Sequence, residues 1–307
     1  MAPAASFRGG SGRTRGVIAS ARLACRFALG AFVMVPFDFH ALRLRLDERA
    51  FVEQAAAVVL PSVDSTSDYL RAHWPDQAAA GASWSICVAQ TQTAGRGRHG
   101  HHWRSEPGSG LWFSCAVPVV PCTAEAPPPL SLVVASELIR VLNAVGFEIG
   151  LKWPNDLWCR DSKVGGLLVE QMGVGAARYW LIGIGINWLS PTHLPQDKTG
   201  VVPSVTGLFE NGELSSIDRE ALAEQLIMVA IHAARHPESW SESMRRANQW
   251  NALLGRRVQL WHAGEAGETG LAGDIKLNGE LGFVSDAGDS RSIGGSTSVR
   301  LVQDEGC

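Results

Sequence analysis

Lysine is scarce in this 307-residue chain: Lys152, Lys163, Lys198 and Lys276 stand against 23 arginines. Such a bias reflects coding background, and a lysine kept within it invites a chemical reason. Cysteine is sparse too, with six scattered residues and no CxxC pair, which argues against a disulfide framework or a zinc site. No apolar run is long and uninterrupted enough to cross a bilayer as a helix. The net charge is only −3, so nothing global points to nucleic acid or an anionic membrane. The sequence has no G-x-S-x-G, S-x-x-K or Walker A pattern, so a serine hydrolase or P-loop ATPase has no support. What is present is ordinary globular composition, 46% hydrophobic and 19% charged.

Residues 1–36 hold five arginines and no carboxylate. Two readings are open: a transit-like or disordered leader, or an upstream translation start with Met34 as initiator. Globular patterning begins at Phe37, and residues 48–60 read as a helix. Ser65 followed by Asp68 is a capping-box pattern that opens a short helix. Strands are expected at 84–90, 111–117, 147–153, 164–170 and 179–188, the last two as an antiparallel hairpin. Helices are expected at 131–145, 220–236 and 241–250. Residues 189–204 read as a loop. Beyond Asn251, short strands at 257–261, 271–277, 282–284 and 299–302, with an Asn278-Gly279 turn, suggest a small β-barrel. The expected division is a leader (1–36), a catalytic domain (37–250) and a barrel (251–307).

Four stretches carry chemistry. Gly95-Arg96-Gly97-Arg98-His99-Gly100 matches G-x-G-x-x-G, but helix breakers follow it, so a dinucleotide fold is rejected. Its glycines and Arg96, Arg98 and Arg104 favour an anion-binding loop over a solvated one, with an RNA-binding loop a weaker third reading. His99, His101 and His102 have no carboxylate nearby and make a poor metal site. Lys152-Trp153-Pro154-Asn155-Asp156 ends a strand at a turn, where an ordinary Asn-Asp turn is the plain alternative. Gly165-Gly166, after Lys163, and Gly183-x-Gly185-x-Asn187 are glycine-bearing strands that admit close approach of a ligand or another backbone. Trp103, beside the loop, is a candidate ligand contact.

Together with Asp64-Ser65-Thr66, Gln92 and Lys163-x-x-Gly166-Leu167-Leu168-x-Glu170, these motifs resemble the biotin protein ligase family from about Val63 to the C-terminus. The resemblance implies a two-step ligation. Biotin's carboxylate attacks the α-phosphate of ATP, giving biotinyl-5′-AMP, and a lysine of a biotin carboxyl carrier domain, such as that of acetyl-CoA carboxylase, then attacks the anhydride. It implies an α+β fold: a mixed, largely antiparallel sheet with helices on one side, like a class II synthetase, followed by an SH3-like barrel. Ser65, Thr66, Ser67, Gln92, Arg96, Gly97, Arg98, Lys163, Gly166 and Gly185 would bind biotin. Arg98, Trp103, Lys152, Asn155, Asp156, Lys163 and Asn187 would bind ATP, with Lys163, Arg98 and Asp156 catalytic. ATP and Mg²⁺ are the implied cofactors. Asp156 is a candidate magnesium ligand or orienter of the carrier lysine, and the residue that holds the metal is not assigned.

Ser67 stands where the family often has Asn or Met, and His99 and His101 replace frequent basic residues. No winged helix-turn-helix of plausible length precedes the motifs, so a monofunctional, cytoplasmic ligase is expected, without nucleic-acid or membrane partners. A homodimer is left open. The rival enzyme is a lipoate or octanoyl transferase, against which Lys-Trp-Pro-Asn-Asp discriminates. The rival of another class is a non-catalytic biotin-sensing or interaction module, against which intact Lys163, Asn155 and Arg98 argue.

Overall fold

In the computed structural model the described residues are 37–122, 127–175, 177–192, 204–209, 217–262 and 265–302. All fall within one compact unit, Met34–Cys307. The expected leader, and most of the expected 189–204 loop, lie outside the described residues.

The chain runs α1 (Phe39–Glu53), β1 (Ala56–Leu60), α2 (Thr66–Ala79), β2 (Ser85–Ala89), β3 (Gly110–Pro118), α3 (Leu130–Ala144), β4 (Gly150–Lys152), β5 (Asp156–Cys159), β6 (Ser162–Val174), β7 (Ala177–Asn187), α4 (Arg219–Arg235), α5 (Trp240–Gln249), β8 (Arg257–His262), β9 (Glu265–Ile275), β10 (Leu281–Ser285), β11 (Ser290–Ile293) and β12 (Ser298–Leu301). Seven strands form a sheet in the order β1-β2-β3-β7-β6-β5-β4. Only β1 and β2 pair in parallel, so the sheet is mixed and largely antiparallel. A second, antiparallel sheet has the order β11-β10-β9-β8-β12.

The alternation of strand side chains sorts the large sheet into two faces. Ile86, Val88, Phe113, Cys115, Ile182 and Ile184 join the core with α1, α3, α4 and α5, and that core continues into Val258, Leu260, Ile275 and Phe283 of the second sheet. Cys87, Ala116 and Leu181 point the other way, against Leu70 and Trp74 of α2. The expectation of helices on one side is therefore corrected. Helix α2 links two parallel strands, and such a crossover must lie over one face of its sheet. The β3-to-β4 connection through α3 takes the opposite face.

Four other features differ from expectation. Residues 48–60 do not form one helix: Asp38 caps α1, accepting from the N–H groups of His40 and Ala41, and Gln54 closes it in the left-handed region at φ 51°. Ala56–Leu60 is then an edge strand, with Ala57 and Val59 facing one core and Val58 and Leu60 the other. Strand β5 was not anticipated, and the segment expected as one strand over 147–153 contributes only β4. Lys152 to Asp156 is thus a hairpin in which those two residues are direct register partners. The 275–281 connection is the expected turn, with Gly279 at φ +86°. Strand β11 was also missed, being short and polar, with only Ile293 buried.

Candidate active site

The α2 face of the large sheet carries one row of residues in direct register across five strands: Trp112 of β3, Gly185 of β7, Gly166 of β6, Asp156 of β5 and Lys152 of β4. Small residues occupy its middle and charged ones its end. Lys163 joins it through an irregularity. Its three-residue spacing from Gly166 would place it on the opposite face of a regular strand. The pairing instead skips Val164, so that Leu157 faces Gly165 and Trp158 faces Lys163. This bulge returns Lys163 to the face of Asp156.

At the charged end, Asp156 Oδ1 lies 2.7 Å from Lys163 Nζ and Asp156 Oδ2 lies 3.5 Å from Lys152 Nζ. Burial pushes the Asp156 carboxyl up, but the charges and hydrogen bonds of Lys163 and Lys152 outweigh it and hold the group below the usual carboxylate range. Burial, with the nearby charges of Lys163 and Arg300, lowers the Lys152 ammonium pKa against the pull of Asp156. Arg98 donates to Asn155 Oδ1 at 3.0 Å and to the carbonyl of Gly295, which belongs to the second sheet's β11–β12 connection. Asn155 in turn donates to Leu167 O at 2.7 Å, fixing the turn to β6. Asn187 is buried and donates to Thr206 O at 3.3 Å, lying beyond Gly185 on the same face of β7.

At the other end, Ser65 caps α2, accepting from Asp68 N. Thr66 donates from its backbone N–H to Gln92 Oε1 at 2.9 Å, and its hydroxyl lies 2.7 Å from Ser114 Oγ. Ser67 Oγ is 2.9 Å from the same Ser114 oxygen. Ser114 was not anticipated; its only sequence signal is a polar residue at an α2-facing position of an otherwise apolar strand.

The Gly/Arg loop is a small hairpin over this face. Gly97 N donates to His101 O at 2.7 Å and Trp103 N to Gly95 O at 2.8 Å, with a short 3-10 turn at Arg98–Gly100. A side chain at Gly95 would strike Trp103 O at 2.6 Å, so glycine is required there. His99 sits at φ 54°, and burial, Arg98 and His101 lower its ring pKa.

The sequence reading assigned the space at Gly166 and Gly185 to biotin. In the structure, a Cβ on Gly185 would lie 2.4 Å from the Trp103 indole, and one on Gly166 would lie 3.0 Å from Lys163 Nζ. These glycines therefore admit Trp103 and Lys163. The Trp103 indole N–H is buried without a hydrogen-bond partner, and Lys163 Nζ stands 5.3 Å from its ring. The guanidinium of Arg96, expected to bind biotin, lies on Asp68 and Glu170. Among the described residues no group of three His, Cys, Asp or Glu could hold a metal ion. Asp156 has both oxygens engaged by ammonium groups, which does not fit a magnesium ligand.

The arrangement is a glycine row with Trp103 and Lys163 over its middle, hydroxyl and amide groups at one end and more positive than negative charge at the other. The sequence model of the biotin/lipoate A/B protein ligase family matches residues 59–187, which span this face. The chain is 32% identical over 256 residues to the bifunctional ligase/repressor BirA of Salmonella typhimurium, covering 82% of this chain and 77% of that one. It is 31% identical over 269 residues to the biotin–[acetyl-CoA-carboxylase] ligase of Mycobacterium tuberculosis, covering 80% and 92%. Among solved structures, the Aquifex aeolicus biotin protein ligase in complex with biotin and ATP aligns with a TM-score of 0.62 at 25% identity, over 80% of this chain and 99% of that one. Motif order, sheet topology and these relatives agree, and the chain belongs to the biotin protein ligase family.

Proposed function

We propose that this enzyme joins biotin to a lysine of a biotin carboxyl carrier domain through biotinyl-5′-AMP. The observation that carries this reading is the Lys152–Asp156–Lys163 cluster at the end of the glycine row, with Arg98 beside it. Bringing a carboxylate to a triphosphate requires fixed positive charge and rigid donors at the meeting point. Ser65, Thr66, Ser67 and Gln92 take biotin's polar ureido end. Gly97 and the loop backbone cover its valeryl arm, with Gly166 and Gly185 below once Trp103 has moved aside or stacked on the ligand.

The biotin carboxylate oxygen then attacks the α-phosphorus, the bond to the β-phosphate oxygen breaks, and pyrophosphate leaves. Lys163 and Arg98 neutralise the charge at the reacting oxygens. Lys152, Asn155, Asn187 and Trp103 serve the nucleotide. Asp156 remains ionised and orients both ammonium groups. Magnesium enters with ATP as part of the substrate. In the second step the carrier amine attacks the carbonyl of the anhydride and AMP leaves.

We assign residues 37–250 to catalysis, residues 251–307 to an SH3-like barrel, and residues 1–36 to a leader or disordered extension. The assigned setting is the cytoplasm, with a carrier domain as protein partner and no nucleic-acid or membrane partner; a homodimer is compatible. No helix among the described residues is long and apolar enough to cross a membrane.

The test measures ATP–pyrophosphate exchange with biotin and no carrier, then transfer to a carrier domain. Biotin-dependent exchange without carrier is expected. Exchange that needs the carrier would overturn the two-step reading, and exchange driven by lipoate would favour the lipoate ligase alternative.

A further inference from the structure

Outside the reacting cluster, four charged side chains tie three elements together. Arg96 of the loop hairpin lies 3.0 Å from Asp68 on α2 and 3.0 Å from Glu170 on β6. Arg71, one helical turn beyond Asp68, reaches the same Glu170 oxygen at 2.9 Å and lies 3.7 Å from Asp68. Two guanidinium groups and two carboxylates thus form a closed, neutral quartet. Each element in it also carries part of the groove. The first turn of α2 holds Ser67, β6 holds Gly166 on the face shared with Glu170, and the hairpin holds Gly97, Arg98 and Trp103.

Isolated exposed ion pairs contribute little, whereas shared-partner networks hold their geometry better. Both carboxylates touch both arginines, and Glu170 is the least exposed member, at 31%. Without its charge, Arg96 keeps one partner on α2 and the hairpin loses the quartet's tie to β6. Glu170 touches no reacting atom in the proposed chemistry; it acts through Arg96.

Resting on the ligase reading above, we infer that Glu170 is a positioning residue, one that pins the Gly95–Trp103 hairpin over the groove and sets how long biotin and biotinyl-AMP stay bound. The hairpin covers the glycine row, with Trp103 over Gly185, and its backbone is otherwise held to itself by the Gly97–His101 and Gly95–Trp103 hydrogen bonds. Loosening its anchor therefore raises ligand escape without changing the charges that act on the α-phosphate.

The test uses the full chain with Glu170→Gln, which keeps the shape and removes the charge, and Glu170→Asp, which keeps the charge. For Glu170→Gln, KM for biotin in pyrophosphate exchange should rise about 5- to 10-fold while kcat changes less than about 2-fold, as expected when ground-state and transition-state binding weaken together. Release of pre-formed biotinyl-AMP should accelerate by a similar factor. Raising salt from about 0.1 M to about 1 M should increase the wild-type KM and leave that of Glu170→Gln nearly unchanged, because screening removes what the substitution has already removed. Glu170→Asp should stay closer to wild type than Glu170→Gln in all three readouts.

Amide exchange over residues 95–104 in the ligand-free protein reads the anchor independently of biotin and should be faster in Glu170→Gln. Wild-type KM and wild-type exchange in Glu170→Gln would overturn the inference. So would a fall in kcat that tracks a lowered melting temperature, which marks a merely structural role. Faster loop exchange in a protein that binds no biotin would uphold the anchor and overturn the ligase reading, so the two fail separately.

Discussion

Replacing Asp156 by Asn keeps the shape of the side chain and removes the one carboxylate between two ammonium groups. The Asp156, Lys152 and Lys163 side chains are 15%, 17% and 29% exposed, so the cluster is nearly but not wholly withdrawn from water. Two routes are open to Lys152 in the variant. It can remain charged, and breaking a buried pair by removing one partner costs about 3–5 kcal/mol, or about 2–3 kcal/mol after allowance for this exposure. It can instead lose its proton. From an unfolded pKa of about 10.4 that costs about 4.6 kcal/mol at pH 7 but only about 1.9 kcal/mol at pH 9. The cheaper route governs, so the penalty is expected to be about 2–3 kcal/mol at pH 7 and below about 2 kcal/mol at pH 9. The sign follows from linkage. A folded state that depresses a lysine pKa binds fewer protons than the unfolded chain, so stability rises with pH and the penalty shrinks as pH approaches the unfolded pKa. Denaturant unfolding of both proteins at pH 7, 8 and 9 measures it. A difference that is the same at pH 7 and 9, or below about 0.5 kcal/mol at pH 7, would refute the claim that Asp156 holds Lys152 in its charged form.

Lys163→Arg should reduce single-turnover biotinyl-AMP formation by about 10²–10³, the loss typical of one aligned transition-state donor, because a planar guanidinium cannot sit where the ammonium meets Asp156 Oδ1. Lys276→Arg, at an exposed position before the Asn278-Gly279 turn, should match wild type, and equal loss in both would end the assignment. Gly185→Ala places a methyl carbon 2.4 Å from the Trp103 ring. It should displace that indole, shift tryptophan emission and cost about 1–3 kcal/mol as overpacking does; an unchanged emission spectrum with wild-type affinity for biotin would show that the contact is dispensable.

The parts of this site that were legible in the sequence lie next to chain punctuation. Ser65 shows as a cap, Asn155 follows a proline, and Gly95 to Gly100 break every regular pattern. What was not legible depends on pairing between distant segments. Ala56–Leu60 is an apolar run too short to tell from the end of a helix, and only its parallel bond to β2 decides. The placement of α2 opposite the other helices follows from that same crossover. Arg96 could be read as a cation near an anion, but its partners Asp68 and Glu170 lie 28 and 74 positions away, and composition gives no sign of them. Glu170 was visible as part of a motif, and nothing local said what it held.

The antiparallel register turns these scattered residues into a reaction path. Adjacent strands stand about 4.8 Å apart, so the four steps from Trp112 to Lys152 make a row of about 19 Å, long enough for two small ligands end to end. Glycine at the second and third positions leaves the floor shallow, and the lone carboxylate at the fourth is bracketed by ammonium groups. In the proposed reaction the two ligands meet at Gly166, where the ammonium of Lys163 lies against the glycine. That ammonium is present on this face only because the pairing of β5 with β6 skips Val164, whose side chain is spent in the opposite core. In an unbroken strand Lys163 would point among the helices and Asp156 would keep Lys152 alone. One extra residue in one strand therefore brings the Lys163 ammonium onto the glycine row beside Asp156.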